Sequence, residues 1–494
     1  LRFEDYFKSH IGKKIAVCGI GVSNLPLVRI LRERCIEVEA RDIKTAGELG
    51  DVVEELRSLG VGIICGPDYL KDLDADIIYR SPGMRPDLPE FSEAVKNGAR
   101  LCSEMEAFFE VCPCRTVGIT GSDGKTTTST VIAKMLEKAG HRTWLGGNIG
   151  MPLLGCVPDM LPEDIAVLEL SSFQLMTIKK SPDIAVITNI APNHLDVHRD
   201  MEEYVESKRN IFRFQGPEGR VVLNLDNTYT RAFTGDACGE VWVFSTHPDE
   251  LSRSMGGRAG SGDSCPTGEN TAAFPEAGQK ALANAVYLNG ESVMVRTPEL
   301  LEEILNRNDI KIPGLYNVEN YMAAIAAVYG LAGKREITEV ARSFGGVEHR
   351  NEFVREFEGV RYYNNSIASS PTRTVAALRA FSQKVILIAG GYDKKIPFDP
   401  LVEALPGHAK ALILLGATKE KIRKAVEDAA KQIGPQAMPP VYDADSLEEA
   451  VNTARSISRE GDIVCLAPTC ASFDMFKNFE ERGNAFKKLV NGLS

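Results

Sequence analysis

A chain of 494 residues has room for about three domains of ordinary size, and its 44% hydrophobic content excludes disorder as the dominant state. The net charge of −11 excludes a generalised nucleic-acid or anionic-membrane surface, so any phosphate recognition has to be local. Cys112 and Cys114, the nearest pair among eleven cysteines, are too tightly spaced for the usual Cys-x-x-Cys metal or redox motif, so reduced and mostly buried thiols are expected. No basic segment followed by an apolar one opens the chain and no run approaches a membrane span, which predicts a soluble, cytoplasmic protein without membrane or nucleic-acid partners.

From Lys14 to about Phe109, short apolar runs (Ile15 to Cys18, Val38 to Ala40, Val61 to Ile64, Ile77 to Tyr79) alternate with helical stretches. Such alternation predicts a parallel sheet with helices packed on it. The first turn, Gly19-Ile20-Gly21-Val22-Ser23-Asn24, is spelled almost as a dinucleotide fingerprint, with Asn24 in place of the third glycine and the acidic Asp42 about twenty residues on. A phosphate site and a plain βα turn both satisfy that pattern.

A second unit starts near Arg115. Val117 to Ile119 reads as a strand, glycines follow, and Thr127 to Leu136 has helix-forming character. A strand, a glycine turn and a helix start aim backbone N–H groups and a helix dipole at one anion. Gly121, Ser122, Asp123, Gly124 and Thr127 are therefore candidate phosphate contacts, with Lys125 as a cation and Thr126 as a hydroxyl suited to magnesium. Ile119 stands where the strict P-loop spelling has glycine, so the expected loop is a shortened form in which Gly121 makes the turn; the plainer alternative is a glycine turn joining any βα unit.

Further strands are expected at Ile165 to Leu170 and Asp183 to Ile187. Glu169 places a carboxylate in an apolar strand just before a Ser-Ser turn, a costly burial unless the acid is paired or binds a metal. The run Thr188 to His198 follows the next strand, and strand ends of an open α/β sheet converge on the phosphate site. Glu169 and His194 are thus candidate ligands of a second metal, the alternative for His194 being a histidine satisfied by turn hydrogen bonds. His198 is given no zinc role. The glycine- and serine-rich stretch 252–278 reads as a surface excursion, and the unit ends near Gly346.

The third unit has strands at Val385 to Ala389, Ala411 to Leu415 and Ile463 to Leu466, with helical stretches at Lys419 to Ala430 and Leu447 to Ile457. The expected fold is α/β in three domains: a Rossmann-like domain over 1–112, a central P-loop ATPase domain with a parallel sheet over 113–346, and a Rossmann-like domain over 347–494.

Gly118 to Thr126, Leu168-Glu169-Leu170-Ser171-Ser172-Phe173-Gln174-Leu175, Asn193-His194-Leu195-Asp196, Asn317 with Asn320, His349-Arg350 and Ala467 to Asp474 together resemble the Mur ligases. The Ser-Ser-Phe-Gln run, Gly146-Gly147-Asn148-Ile149-Gly150 and Phe476 to Gly483 are most similar to the members that add D-glutamate. The likeness runs from Ile15 to about Val490, leaving out the excursion.

That resemblance implies ATP-dependent amide formation in cytoplasmic peptidoglycan precursor synthesis. ATP would phosphorylate the alanyl carboxylate of UDP-N-acetylmuramoyl-L-alanine, and the D-glutamate amine would attack the acyl phosphate. Lys125 and Thr126 would hold phosphates and one Mg²⁺, while Glu169 and His194 would hold a second. Lys208 matches the lysine that the family carbamylates, a reaction that needs a neutral amine and yields an anionic metal bridge; its alternative is an ordinary surface lysine. Val22, Ser23, Lys44, Ser81 and Gly83 would surround the UDP portion, with Asn148 near the muramoyl-alanine arm. Asn317 and Asn320 would lie on the adenine side, and Arg350 would reach the phosphates. Ser369, Lys394, Ser472 and the Phe479 region would receive D-glutamate. A monomer is expected.

Some positions depart from the better-known family pattern. Asn365, Ile367 and Ser369 replace its Asp, Lys and Thr, so Asn365 is kept as an uncharged ATP contact and Ile367 has no catalytic role. Lys44 replaces a frequent arginine and Tyr316 a frequent histidine. Competing readings are another Mur ligase or folylpolyglutamate synthase, a nicotinamide dehydrogenase, which leaves the Lys125 loop unused, and a P-loop regulator, for which the guanine-reading Asn-Lys-x-Asp run is missing.

Overall fold

A computed structural model of the chain describes residues 1–193, 197–248, 283–393 and 396–494. His194, Lys394 and the 252–278 stretch lie outside the described residues. Residues Leu1–Asp309 and Val318–Val340 form one compact unit; Ile310–Asn317 and Ala341–Ser494 form another.

The first unit holds two sheets. Strands β1 (Ile15–Cys18), β2 (Val38–Asp42), β3 (Gly62–Cys65), β4 (Ile77–Arg80) and β5 (Arg100–Cys102) pair in the order β3-β2-β1-β4-β5, all parallel. Every residue of β1 and β4 is buried, as expected of strands covered on both faces. The order reverses at β1, so the segments after β1, β2 and β4 share one sheet edge, where open α/β sheets bind ligands.

The second sheet contains β6 (Arg115–Thr120), β7 (Thr143–Gly147), β8 (Ile165–Glu169), β9 (Ile184–Ile187), β10 (Arg220–Asn224), β11 (Glu240–Ser245), β12 (Asn284–Asn289), β13 (Ser292–Arg296) and β14 (Leu301–Asn306). Its order is β14-β13-β12-β11-β10-β9-β6-β8-β7. Strands β6 to β12 run parallel, as expected for this domain, but β13 and β14 add antiparallel to one edge. The exception has a local cause: Asn289 and Ser292 pair across a tight turn at Gly290, which needs no crossover helix. One apolar cluster runs through both sheets, from Val17 and Tyr79 by Met105 and Phe108 to Leu154, Val157 and Leu168.

The second unit holds β15 (Glu352–Phe357), β16 (Val360–Asn364), β17 (Val385–Gly390), β18 (Ala409–Leu415), β19 (Val441–Asp443) and β20 (Ile463–Leu466), ordered β15-β16-β20-β17-β18-β19 and parallel except for β15. Three parallel-sheet α/β domains therefore make up the chain. Among the described residues, no helix is long and apolar enough to cross a membrane.

Candidate active site

Strand β6 runs straight into the glycine loop, and the helix Lys125–Lys138 begins one residue after Gly124. Gly124 has φ 82°, and a Cβ there would collide with the amide oxygen of Asn320. At Gly121, with φ 153°, a Cβ would collide with the Thr188 hydroxyl. Only glycine fits either place. Ile119 is fully buried in β6 and sits opposite Glu169 and Val186, which explains why the strict spelling fails there: the position belongs to the strand, and the turn starts at Gly121.

Neighbouring strands then secure the loop. Ser122 Oγ donates to the Ala191 carbonyl at 2.8 Å and lies 2.9 Å from the Tyr204 hydroxyl. The Asp123 N–H donates to Asn189 Oδ1 at 2.9 Å, and Thr188 Oγ1 donates to the Asp123 carbonyl at 2.5 Å. Lys125 Nζ donates to the carbonyls of Gly121 and Ser122, each at 2.9 Å. Thr127 is part-exposed in the first helical turn, and Asn320 Oδ1 accepts from Thr128 Oγ1 at 3.2 Å.

Glu169, at the end of β8, is 2% exposed. Its carboxylate accepts from Thr126 Oγ1 at 2.7 Å and from Asn148 Nδ2 at 2.9 Å, while its carbonyl accepts the Asn148 N–H at 2.8 Å. The expected buried acid is thus present and paired. A buried carboxylate beside a threonine hydroxyl, next to a loop that can hold phosphates, is a set of hard oxygen donors of the kind magnesium takes, with phosphate oxygens and water as its remaining ligands. The residues fit that metal.

Lys208 lies on the helix Met201–Arg213 and is 2% exposed, so it is no surface lysine. Its Nζ donates to the Gly121 carbonyl at 2.9 Å and sits 4.7 Å from the centre of the Tyr204 ring. Burial, then the nearby Lys125 charge, push its pKa well below the ordinary lysine value, which favours a neutral amine. The Ser-Ser-Phe-Gln run has a structural part as well. Ser171 and Gln174 form a capping box on the short helix Ser172–Leu175. Ser172 Oγ is 2.9 Å from Nε2 of the buried His198, whose ring stacks on Phe173.

At the first sheet's edge, the Ser81 N–H donates to the Cys18 carbonyl at 2.8 Å, which brings the turn after β4 against the turn after β1. Asn24 is 1% exposed and its amide donates to the carbonyls of Cys18 and Gly19 at 3.2 and 2.9 Å. It closes the turn where the fingerprint has a third glycine. The Asp42 carboxylate accepts from the backbone N–H groups of Ile20 at 2.6 Å and Lys44 at 2.9 Å, so it organises the turn from inside. Val22 is 76% exposed, Ser23 is half-buried, and Lys44 and Gly83 are exposed.

In the second unit, the segments after β16, β20 and β17 share one sheet edge. Ser369, half-buried, follows β16; Ser472, 3% exposed, follows β20; the run after β17 leads toward Lys394. Phe479 opens the helix Phe479–Asn491, and its ring meets His349 edge to face at 5.8 Å. Asn365 is 3% exposed and its Oδ1 accepts the Asn351 N–H at 3.3 Å. Exposed Arg350 lies between His349 and Asn351, whose φ angles are 61° and 42°. Asn317 Nδ2 donates to the Pro313 carbonyl at 2.6 Å. Buried Arg482, which carried no expectation, donates to Ser366 Oγ and to the carbonyls of Ser366, Cys470 and Ala471, tying two of these segments to the helix. The first unit likewise gathers Gly121 to Thr126, Asn148, Glu169, Lys208 and Asn320 at the glycine loop.

Residues 119–328 match the Mur ligase middle domain, and residues 349–470 match the Mur ligase glutamate ligase domain. A UDP-N-acetylmuramoylalanine–D-glutamate ligase of Clostridium kluyveri is 46% identical over 492 residues, covering 99% of this chain and 99% of its own. One from Acetivibrio thermocellus is 45% identical over 493 residues, covering 100% and 99%. The solved UDP-N-acetylmuramate-alanine ligase of Thermotoga maritima shares the fold, with a TM-score of 0.51 at 18% identity over 97% of this chain and 99% of that one. With full-length relatives this similar and a glycine loop, buried glutamate and buried lysine gathered at one strand edge, the chain belongs to the Mur ligase family, in the branch of the UDP-N-acetylmuramoylalanine–D-glutamate ligases.

Proposed function

We propose that this chain joins D-glutamate to UDP-N-acetylmuramoyl-L-alanine at the expense of ATP, through an acyl phosphate, in cytoplasmic peptidoglycan precursor synthesis. The observation that carries this reading is the convergence of Lys125, Thr126, Glu169 and Lys208 on one shortened phosphate loop. Residues 1–112 take the UDP substrate through Val22, Ser23, Lys44, Ser81 and Gly83, residues 113–346 take ATP, and residues 347–494 take D-glutamate through Ser369, Lys394, Ser472 and Phe479. One chain supplies all three, so a monomer suffices.

A carboxylate cannot exchange its oxygen for an amine without a leaving group, and phosphorylation supplies one. The Lys125 ammonium and the start of the helix that follows Gly124 would offset charge on the transferred phosphoryl, which is the main demand of this step. Magnesium, when bound, would supply Lewis-acid charge at two sites: Thr126 would hold one ion, and Glu169 and His194, with Lys208, would hold the second. Asn148 and Thr126 fix the Glu169 carboxylate, and Asn148 faces the acceptor arm. Asn317 and Asn320 serve the adenine side, with Arg350 and Asn365 as further ATP contacts. Lys208 serves as a carbamate: its neutral amine attacks CO₂ and loses a proton, turning a buried cation site into an anionic ligand.

The test is ADP release and product formation with ATP, magnesium and UDP-N-acetylmuramoyl-L-alanine, scanned across D-glutamate, L-glutamate, L-lysine and meso-diaminopimelate. Turnover confined to D-glutamate is expected. Preference for another amine, or ATP hydrolysis indifferent to both partners, overturns the reading.

A further inference from the structure

We infer that Arg80 and Arg85 are positioning residues that hold the acceptor-substrate loop, Ser81 to Met84, in register with both halves of the phosphoryl-transfer site. The inference rests on the reading that this loop meets the UDP substrate.

Arg80 ends β4 and its side chain is 0% exposed. One arm of its guanidinium donates to the carbonyls of Pro82 and Met84, at 3.2 and 2.8 Å, and so sets the path of the loop. The other arm donates to the Phe173 carbonyl at 3.3 Å and to Thr177 Oγ1 at 2.9 Å, in the segment that follows Glu169. Thr177 passes the contact on, donating at 3.0 Å to the Glu106 carboxylate, which Ser103 Oγ also reaches at 2.8 Å. Burial lowers the Arg80 pKa and raises that of Glu106, so both charges are held at a desolvation cost. Apolar side chains would fill the space more cheaply. Only a planar, many-donor cation can reach carbonyls of two separate segments at once.

Arg85 makes the matching tie on the other side. It donates to the Val197 carbonyl at 2.7 Å and grips the Glu203 carboxylate with two bonds of 2.9 Å, while Asp87 orients it from its own loop through two bonds of 2.8 Å. Val197 lies three residues after His194. Glu203 stands on the helix of Lys208, five residues before it, and is held well below the usual carboxylate range, first by Arg85. The substrate loop is therefore fastened by Arg80 to the Glu169 segment and by Arg85 to the Lys208 helix. The acceptor carboxylate must meet the γ-phosphate at near-contact distance, and a shift of about 1 Å costs on the order of 100-fold in rate.

Arg85 is the residue to test, because its side chain is 21% exposed and Glu203, 14% exposed, keeps its bonds from Arg199 when Arg85 is removed. Arg85→Ala, Glu203→Ala and the double variant would be compared with the wild-type chain by steady-state kinetics, calorimetric titration of UDP, thermal melting, and hydrogen exchange at Ser81 to Met84. Arg85→Ala is expected to lower kcat by about 10- to 100-fold, with UDP affinity and the KM for ATP within about threefold, a melting temperature lowered by no more than about 3 °C and faster exchange in the loop. The double variant should be no slower than the slower single one, because both remove the same tie. Full kcat in Arg85→Ala, additive losses in the double variant, or joint loss of UDP affinity, ATP affinity and melting temperature would overturn the inference. A wild-type chain that fails to bind UDP or to ligate D-glutamate would instead sink the functional reading beneath it.

Discussion

The turn after β1 and the turn after β6 begin alike, each a glycine-containing link from a buried parallel strand to a helix, yet their interiors are filled differently. In the first, Asn24 and Asp42 direct their polar atoms at the turn's own backbone. In the second, the loop's backbone faces two lysines, and side chains from β8 and from the segment after β9 arrive to fix it. A βα turn whose polar groups are used on itself is a rigid cradle. One met by lysines from its own and a neighbouring helix, and by a buried carboxylate from β8, can move charge. The difference lies in those surrounding groups rather than in the glycine spelling.

The largest effect that separates the two turns is expected at Lys125. Lys125→Ala should lower kcat by about 10²- to 10³-fold, since it removes charge stabilisation from the transferred phosphoryl, while UDP titration remains at wild-type affinity; a matching loss of UDP affinity would mean the turns are not independent. Next comes Lys208→Ala, expected to lose roughly 100-fold in rate if the proposed carbamate ligates the metal. The companion measurement is a ¹³C carbamate signal from wild-type chain in labelled bicarbonate, absent from the variant. No wild-type signal, or full activity in the variant, would contradict the carbamate.

At the first turn, Asp42→Ala leaves the Ile20 and Lys44 N–H groups without their acceptor. It should weaken UDP binding by about tenfold, equivalent to about 1.4 kcal/mol, and leave ATP binding unchanged. The smallest effect is expected where the two sheets meet. Glu104 is buried against the Leu154 N–H, and desolvation raises its pKa from near 4.5 to about 7. The folded chain therefore binds more protons than the unfolded one between those values. Its contribution to stability is fully present below about pH 4.5, declines as pH rises, and is gone above about 7. Glu104→Gln, which imitates the protonated acid, should melt about 2 °C higher than wild type at pH 8 and alike at pH 4.5. Equal melting at both values would remove Glu104 as the cause.

Much of this arrangement could be read in the residues, for identifiable reasons. The runs Ile15–Cys18, Ile463–Leu466 and Leu447–Ile457 form the expected elements to the residue, because continuous apolar runs and a clear helical period leave few alternatives. Glu169 and Lys208 were legible as site candidates, one as an acid inside an apolar strand and the other only through family likeness. The antiparallel edge was not: β14 carries Glu302 and Glu303 among its six residues, so no continuous apolar run marks it as a strand. Arg80, Arg85 and Arg482 were missed because arginine reads as surface, and only tertiary contacts disclose a guanidinium spanning two segments. Asn24 looked like a flaw in a fingerprint, since its amide's use inside the turn depends on geometry that spacing does not carry.

The carbonyl of Gly121 receives hydrogen bonds from two lysine nitrogens, Lys125 at 2.9 Å and Lys208 at 2.9 Å. Because the charge on one helps keep the other neutral, neither position can be altered in isolation: deleting Lys125 makes it easier for Lys208 to ionise, and so harder for it to capture CO₂. Rate losses at the two sites should therefore overlap, and a chain lacking both will be less impaired than the product of the separate defects.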